Sequence, residues 1–159
     1  VGSLIASYVY LMSGAPSWPP DGISQPALVL PTVGAALIAA SIAFMAVAGR
    51  GRRMLGLGAA AVLGITGTVL LATGIDWLNP NVGAHAYNSL LFTIEAVQIL
   101  LTLTGVGLIL YVLARVRRRK EPNGRYAQQA VRKAAIYWYF VAASSLAAFA
   151  TLYVTPYLT

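Results

Sequence analysis

The sequence predicts an all-α fold, a polytopic transmembrane helix bundle of about five spans, with the N-terminus inside and the C-terminus outside. Of its 159 residues, 58% are hydrophobic and only 9% are charged. A soluble domain carries about 25% charged residues, so this chain has too little polar surface for a water-soluble fold. Uncharged segments alternate with basic clusters, and none shows the alternation of a barrel strand. Residues 1–159 are therefore predicted to form one membrane domain.

The predicted spans follow the apolar segments of the chain. Residues 1–13 are apolar, but at about 1.5 Å per residue they cannot cross a hydrocarbon core of about 30 Å. We therefore expect the first span to be incomplete, with further residues preceding Val1. In the third span, Ala60, Gly64 and Thr68 recur at four-residue steps as a seam for helix packing. The four remaining spans are predicted at residues 27–48, 54–75, 86–114 and 134–153, with turn-forming or basic segments between them.

The basic residues occur in two clusters, one between the second and third spans and the other between the fourth and fifth. Because Lys and Arg in short loops mark the cytoplasmic side, both clusters are predicted to be inner loops, the second with a polar stretch at residues 121–129. The same cations could hold anionic lipid headgroups, but without a shaped pocket the orientation role is favoured. The residues concerned are Arg50, Arg52, Arg53, Arg115, Arg117, Arg118, Arg119, Lys120, Arg132 and Lys133. Nucleic acid is not an expected partner, because these cations separate apolar helices and do not form the face of a soluble fold.

The aromatic and histidine content gives little support for a cofactor site. Trp18, Trp77 and Trp138 are predicted to anchor the bundle at the headgroup layer, an interpretation favoured over stacking on a cofactor. The chain has no cysteine and one histidine, His85, so it supplies neither a thiolate metal site nor paired axial imidazoles. A haem held by His85 and Met12 is conceivable but disfavoured. No catalytic, cofactor-binding or metal-binding residue is predicted in this chain.

The fourth span carries the one intramembrane acid, Glu95. Glu95, Gln98 and Thr102 recur at three- and four-residue steps and share one helix face, which must point into protein because a carboxylate facing lipid is costly. A functional interpretation is a site for proton handling or gating. The structural one is a protonated or hydrogen-bonded glutamate, bonded to Gln98 and Thr102, that ties this helix to a neighbour. The second is favoured, because a proton route needs several titratable groups and no other acid, Lys or His lies in a predicted span.

Several segments occur in the order and spacing of one protein family. They are residues 2–11 (GSLIASYVYL), residues 17–22 (SWPPDG), Leu30-Pro31, Arg52-Arg53, Asp76-Trp77, residues 86–93 (AYNSLLFT) and residues 137–141 (YWYFV). Over essentially its whole length the chain resembles the five-helix core of subunit III of haem-copper oxidases. It departs from the family's pattern at residues 97–101 (VQILL), which replace Phe-His-Gly-Leu-His, at Tyr139 in place of a His, and at Ala142 in place of an Asp. The resemblance is to a divergent, short five-helix form.

The resemblance implies a non-catalytic subunit of a respiratory terminal oxidase in a prokaryotic cytoplasmic membrane. Such a subunit packs on catalytic subunit I, and on subunit II, binds phospholipid and supports proton uptake and lasting turnover. It carries no haem or copper, which are expected in the partner catalytic subunit. Two alternatives remain: a small transporter or channel, which would need polar residues on several spans, and a lipid-binding or assembly membrane protein without a redox complex.

Overall fold

The computed structural model describes residues 1–18, 28–50, 52–74, 86–118 and 124–157. Within these ranges all regular structure is helical, which confirms the predicted all-α class. The helices are α1 (Gly2–Gly14), α2 (Val29–Gly49), α3 (Arg53–Ala72), α4 (Ala86–Arg118) and α5 (Arg125–Phe149). A π-helical turn, Ala150–Val154, and a 3₁₀ turn, Thr155–Tyr157, follow α5 without a break.

Four of the helices in the described ranges, α2 to α5, are long and apolar enough to cross a membrane. At about 1.5 Å per residue, even the 20 residues of α3 cover about 30 Å, the thickness of a hydrocarbon core. The first helix, α1, has 13 residues and is too short to cross alone. These lengths and compositions indicate a membrane protein.

The fifth helix begins at Arg125, so the prediction of a polar loop over residues 121–129 is wrong for residues 125–129. Residues 121–123 lie outside the described part of the chain. The helix extends because Ala127, Val131 and Ala134 recur at helical spacing and are buried against neighbouring helices, while the residues between them are mostly polar. The predicted crossing at residues 134–153 is therefore part of a longer helical segment.

Helices α2 and α3 pack in an antiparallel pair through small residues. A Cβ atom added to Gly34 would lie 2.6 Å from the Gly67 carbonyl oxygen, and one added to Gly67 would lie 2.7 Å from the Gly34 carbonyl oxygen. At the other end, a Cβ atom on Gly56 would lie 2.5 Å from the Ala48 nitrogen. Only glycine permits backbones to approach this closely, as in small-residue packing between membrane helices. Gly34 and Gly67 thus lie where the α2 and α3 backbones approach each other closely.

Helix α5 packs against α2, α3 and α4, while α4 also contacts α3 and α1. One apolar cluster includes Ala48 at the end of α2, Leu57 near the start of α3, Val116 near the end of α4 and Ala127 near the start of α5. A second includes Tyr8, Ile38, Leu71, Tyr87, Leu91, Ile94, Leu152 and Tyr153. The first cluster shows that the helix ends carrying the basic residues lie together at one end of the bundle.

Candidate functional site

A layer of polar side chains crosses the interior of the bundle between the two apolar clusters. Four helices contribute to it. Its fully buried members among the described residues are Ser41, Thr68, Glu95, Gln98, Thr102 and Ser145. In a membrane protein a buried polar group lacks water, so the partners of each member determine whether the layer serves structure or chemistry.

Glu95 lies at the start of this layer on α4 and is 1% exposed. The Tyr153 hydroxyl lies 3.4 Å from Glu95 Oε1, and the same hydroxyl donates to the Leu71 carbonyl oxygen at 2.7 Å. Glu95 Oε2 has no hydrogen-bond partner among the described residues. Tyr153 belongs to the π-helical turn, a feature that often occurs at functional sites because its extra residue per turn redirects side chains.

The proton count at Tyr153 favours a neutral Glu95. A phenol hydroxyl has one proton, and the shorter distance assigns it to the Leu71 carbonyl oxygen. The hydroxyl therefore reaches Glu95 Oε1 only as a weak donor at 3.4 Å, and Glu95 Oε2 has no partner among the described residues, so an ionised carboxylate would lack strong donors. A neutral carboxylic acid also avoids the cost of an unpaired charge in the bundle interior.

Gln98 and Thr102 join α4 to two other helices. Gln98 Nε2 donates to the Ser145 hydroxyl at 3.0 Å, and the Ser144 hydroxyl lies 3.3 Å from Gln98 Oε1, so the amide bridges to α5. The Thr102 and Thr68 hydroxyls lie 3.0 Å apart and link α4 to α3.

The prediction that Gln98 and Thr102 bond Glu95 is wrong. Spacings of three and four residues put the three side chains on one face of α4, but each side chain extends toward a different neighbouring segment. Glu95 contacts Tyr153, whereas Gln98 and Thr102 bond residues of α5 and α3. Together they connect α4 to both helices and to the turn after α5.

Trp138 is buried, so the prediction that it anchors the bundle at the interface is wrong. It is 2% exposed, and its Nε1 donates to the Ser41 hydroxyl at 3.0 Å. The ring occupies the space over two glycines: a Cβ atom on Gly64 would lie 2.3 Å from the ring, and one on Gly105 would lie 3.0 Å from it. The sequence contained this signal, because glycines on two spans leave room for a large side chain from a third.

Trp18, the second predicted anchor, is half-buried and packs on two tyrosines. Its ring centroid lies 5.2 Å from that of Tyr8 and 5.1 Å from that of Tyr87, in edge-on arrangements that aromatic pairs favour. It thereby connects the segment after α1 to the start of α4. Trp77, the third predicted anchor, lies outside the described residues.

The described basic residues occupy one end of the bundle, where α2 and α4 end and α3 and α5 begin. The Arg115 guanidinium lies over the rings of Tyr111 and Tyr126, at 5.6 and 5.1 Å from their centroids, and also bonds the Tyr111 hydroxyl. The other exposed cations at this end include Arg50, Arg52, Arg117, Arg132 and Lys133. Arg119 and Lys120 lie outside the described residues, and Arg118 is described by its backbone in α4.

The described residues contain no group of three His, Cys, Asp or Glu side chains that could hold a metal ion. His85 lies outside that part of the chain. The described interior contains hydrogen bonds between helices and one carboxyl group, that of Glu95. No family model matches this chain, and no curated protein matches it.

We expect Glu95→Gln to leave the stability of the bundle nearly unchanged. The glutamine amide has the volume of a neutral carboxylic acid and can donate to the Tyr153 hydroxyl, which keeps its bond to Leu71. Glu95→Leu removes that contact and should cost about 0.6 kcal/mol, the average for polar contacts between membrane helices, and at most about 1.7 kcal/mol. Thermal unfolding in detergent at pH 6 and pH 8 measures both. A marked loss in Glu95→Gln, or a loss at pH 8 alone, would show that the carboxylate is ionised in the folded bundle.

Proposed function

We propose that this chain is a subunit III-like, non-catalytic component of a respiratory terminal oxidase that reduces oxygen and translocates protons. In this proposal it packs on subunits I and II in a prokaryotic cytoplasmic membrane, binds phospholipid, and supports proton uptake and stable turnover. Haem and copper reside in the catalytic subunit. The family-like segments, in order from residue 2 to residue 141, support the assignment to this class of complex.

One structural observation supports a non-catalytic role within such a complex. The polar side chains of the described interior bond to one another across helices: Thr68 to Thr102, Gln98 to Ser145, and Trp138 to Ser41. Side chains occupied in this way stabilise the packing between helices. Such bonds suit a subunit whose role is to support a complex.

The transporter or channel alternative has less support. A transport path needs polar groups that line a continuous cavity, often beside interrupted helices near the middle of the membrane. Here the polar layer encloses a cavity about large enough for one water molecule, lined in part by Ser41, Thr68 and Thr102. Helix α4, which carries Glu95, is continuous from Ala86 to Arg118. The third alternative, a lipid-binding or assembly protein, differs from the proposed oxidase subunit only in having no redox partner.

The orientation belongs to the proposal as well. The described cations gather at one end of the bundle, and short basic loops remain in the cytoplasm, so this end is assigned to the cytoplasmic side. The N-terminus then lies inside and the C-terminus outside. A cysteine introduced at Ser24 should react with a membrane-impermeant reagent from the periplasm, and one at Asn123 should not. The reverse labelling would contradict the orientation.

Purification from native membranes in mild detergent tests the function. We expect the chain to retain a partner with haem absorbance, and we expect its deletion to leave the haem spectrum of the remaining complex unchanged while turnover becomes slower or shorter-lived. A colourless homo-oligomer would support a transporter, and a chain with lipid but no haem partner would support the third alternative. Loss of a haem signal in His85→Ala alone would show a haem ligand in this chain and contradict its non-catalytic role.

A further inference from the structure

A cavity lies within the polar layer, where α2, α3, α4 and α5 meet. All of its lining residues are buried, so it belongs to the interior of the bundle and not to the lipid-facing surface. The volume open to the centre of a water-sized sphere is about 10 Å³, and about 10 to 15 Å³ of this kind holds one water molecule. The cavity is therefore the size of a single water molecule.

Each of the four helices contributes a polar side chain to the lining of this cavity. They are Ser41 on α2, Thr68 on α3, Thr102 on α4, and Trp138 and Ser145 on α5. A wholly apolar cavity stays dry, whereas a buried water molecule needs two to four hydrogen-bonding partners. The lining therefore favours water if these side chains have donors and acceptors that they do not use with one another.

Two hydroxyl protons in the lining have no acceptor among the described residues. The Thr68 and Thr102 hydroxyls lie 3.0 Å apart, and a single proton makes the bond between them, so the proton of the other hydroxyl remains. Ser145 accepts a hydrogen bond from Gln98 Nε2 at 3.0 Å, and its own proton also remains. A buried donor without an acceptor is destabilising inside a membrane, where bulk water is out of reach. The layer thus holds two donors that need an acceptor, one on α5 and one in the α3–α4 pair.

Ser41 supplies an acceptor for a molecule placed between these donors. Its hydroxyl donates to the Ile38 carbonyl oxygen at 2.6 Å and accepts from Trp138 Nε1 at 3.0 Å. A hydroxyl oxygen has two lone pairs, so one lone pair of Ser41 Oγ remains for a further donor. A water molecule has two lone pairs and two protons. It can therefore accept both hydroxyl protons and donate to Ser41, which makes three hydrogen bonds, the typical number for a buried water molecule.

We propose that the cavity binds one ordered water molecule, which accepts from Ser145 and from the Thr68–Thr102 pair and donates to Ser41. This water joins hydrogen bonds that the described residues otherwise make in separate sets into one network across α2, α3, α4 and α5. It is a fixed part of the folded bundle, because its removal would leave the two hydroxyl protons unpaired. The inference goes beyond the proposed function and holds with or without an oxidase partner.

A density map at a resolution that shows ordered water tests the site directly. The sample is the full chain in mild detergent, with any subunits that accompany it. We expect one water peak in the cavity, at about 2.5 to 3.0 Å from the hydroxyl oxygens of Ser145 and Ser41. A cavity without a peak, in a map that shows water at other buried polar groups, would overturn the inference.

A serine in the cavity should take the place of the water molecule. Ala142 lines the cavity and is 2% exposed, so the hydroxyl of Ala142→Ser supplies an oxygen among the same partners. We expect the water peak to disappear and the melting temperature to change little. The control is Ala148→Ser on the same helix: Ala148 is also 2% exposed but belongs to the second apolar cluster, so the added hydroxyl should lower the melting temperature. Equal losses in the two variants would overturn the inference.

The additivity of substitutions tests whether Ser145 and the threonine pair share a partner. Thr68→Val with Thr102→Val removes one hydrogen bond of the water molecule, and Ser145→Ala removes another. A water molecule that has lost one bond is held less tightly, so the second change removes less, and the combined loss in melting temperature should be smaller than the sum. The matched control uses Ser144→Ala in place of Ser145→Ala, because Ser144 also contacts Gln98 but does not line the cavity, and here the losses should add. The same result in both combinations, whether additive or not, would overturn the inference.

Discussion

Replacing Gly67 with leucine is expected to destabilise the bundle by about 3 kcal/mol or more, because the new side chain has no space that a neighbour can vacate. Its Cβ atom would lie 2.7 Å from the Gly34 carbonyl oxygen and 3.2 Å from the Ile38 nitrogen, both backbone atoms of α2. The helices would have to separate along their length. Packing is the principal force between membrane helices, so this separation removes much of what holds α2 to α3.

Thermal unfolding in detergent, followed by circular dichroism, measures this effect. The control is Gly58→Leu on the same helix, because a Cβ atom on Gly58 meets no atom within 4 Å and faces away from the interior contacts. Both variants replace one glycine of α3 with leucine, so the difference between their melting temperatures isolates the effect of the contact with α2. Equal melting temperatures would contradict the close approach of Gly34 and Gly67.

The helical class and the grouping of cations were predictable from the sequence because they depend on composition and on one-dimensional order. An uncharged segment of about 20 residues forms a helix in lipid whatever surrounds it, since its backbone groups must bond internally. The basic clusters at residues 50–53 and 115–133 interrupt these segments, so consecutive helices turn back at them. That alone brings the described cations to one end of the bundle.

The partners of individual side chains were not predictable in the same way. Spacing on α4 showed that Glu95, Gln98 and Thr102 share a face, but it did not show which helix each side chain meets, because that depends on how the neighbours are rotated and displaced. The start of α5 was missed for a related reason. Its first residues look like a polar loop until the small apolar residues Ala127 and Val131 are seen to face a partner.

The seam predicted from Ala60, Gly64 and Thr68 illustrates the same limit. All three are buried, as a packing surface requires, but they do not form one continuous contact with a single helix. Gly64 leaves space for the Trp138 ring, and Thr68 bonds Thr102. The spacing identified a buried packing surface on α3. It did not identify the side chains of α5 and α4 that contact this surface, because these depend on the shapes of those helices.

Trp138→Ala should destabilise the bundle by about 3 to 5 kcal/mol, the usual cost of truncating a buried tryptophan. The loss comes mainly from the cavity left between Gly64 and Gly105, because the Ser41 hydroxyl keeps its bond to the Ile38 carbonyl oxygen at 2.6 Å. Trp138→Phe keeps an aromatic ring but removes part of the indole as well as the hydrogen bond to Ser41, so it should cost less than Trp138→Ala but more than the about 0.6 kcal/mol of an average polar contact between membrane helices. Thermal unfolding in detergent ranks the two variants.

The control for exposure is Phe140→Ala on the same helix, since Phe140 is 55% exposed and its truncation should change the melting temperature little. The sharper test is coupling between Trp138 and Gly64. Gly64→Ala alone places a Cβ atom 2.3 Å from the indole ring and should destabilise the chain, whereas in the Trp138→Ala background the clash is gone and the added methyl group fills part of the cavity. A tryptophan at the membrane interface would show neither a large loss of stability on truncation nor a Gly64→Ala effect that is destabilising in the original chain and stabilising in the Trp138→Ala variant. Additive effects of the two substitutions would therefore contradict the buried position of this ring.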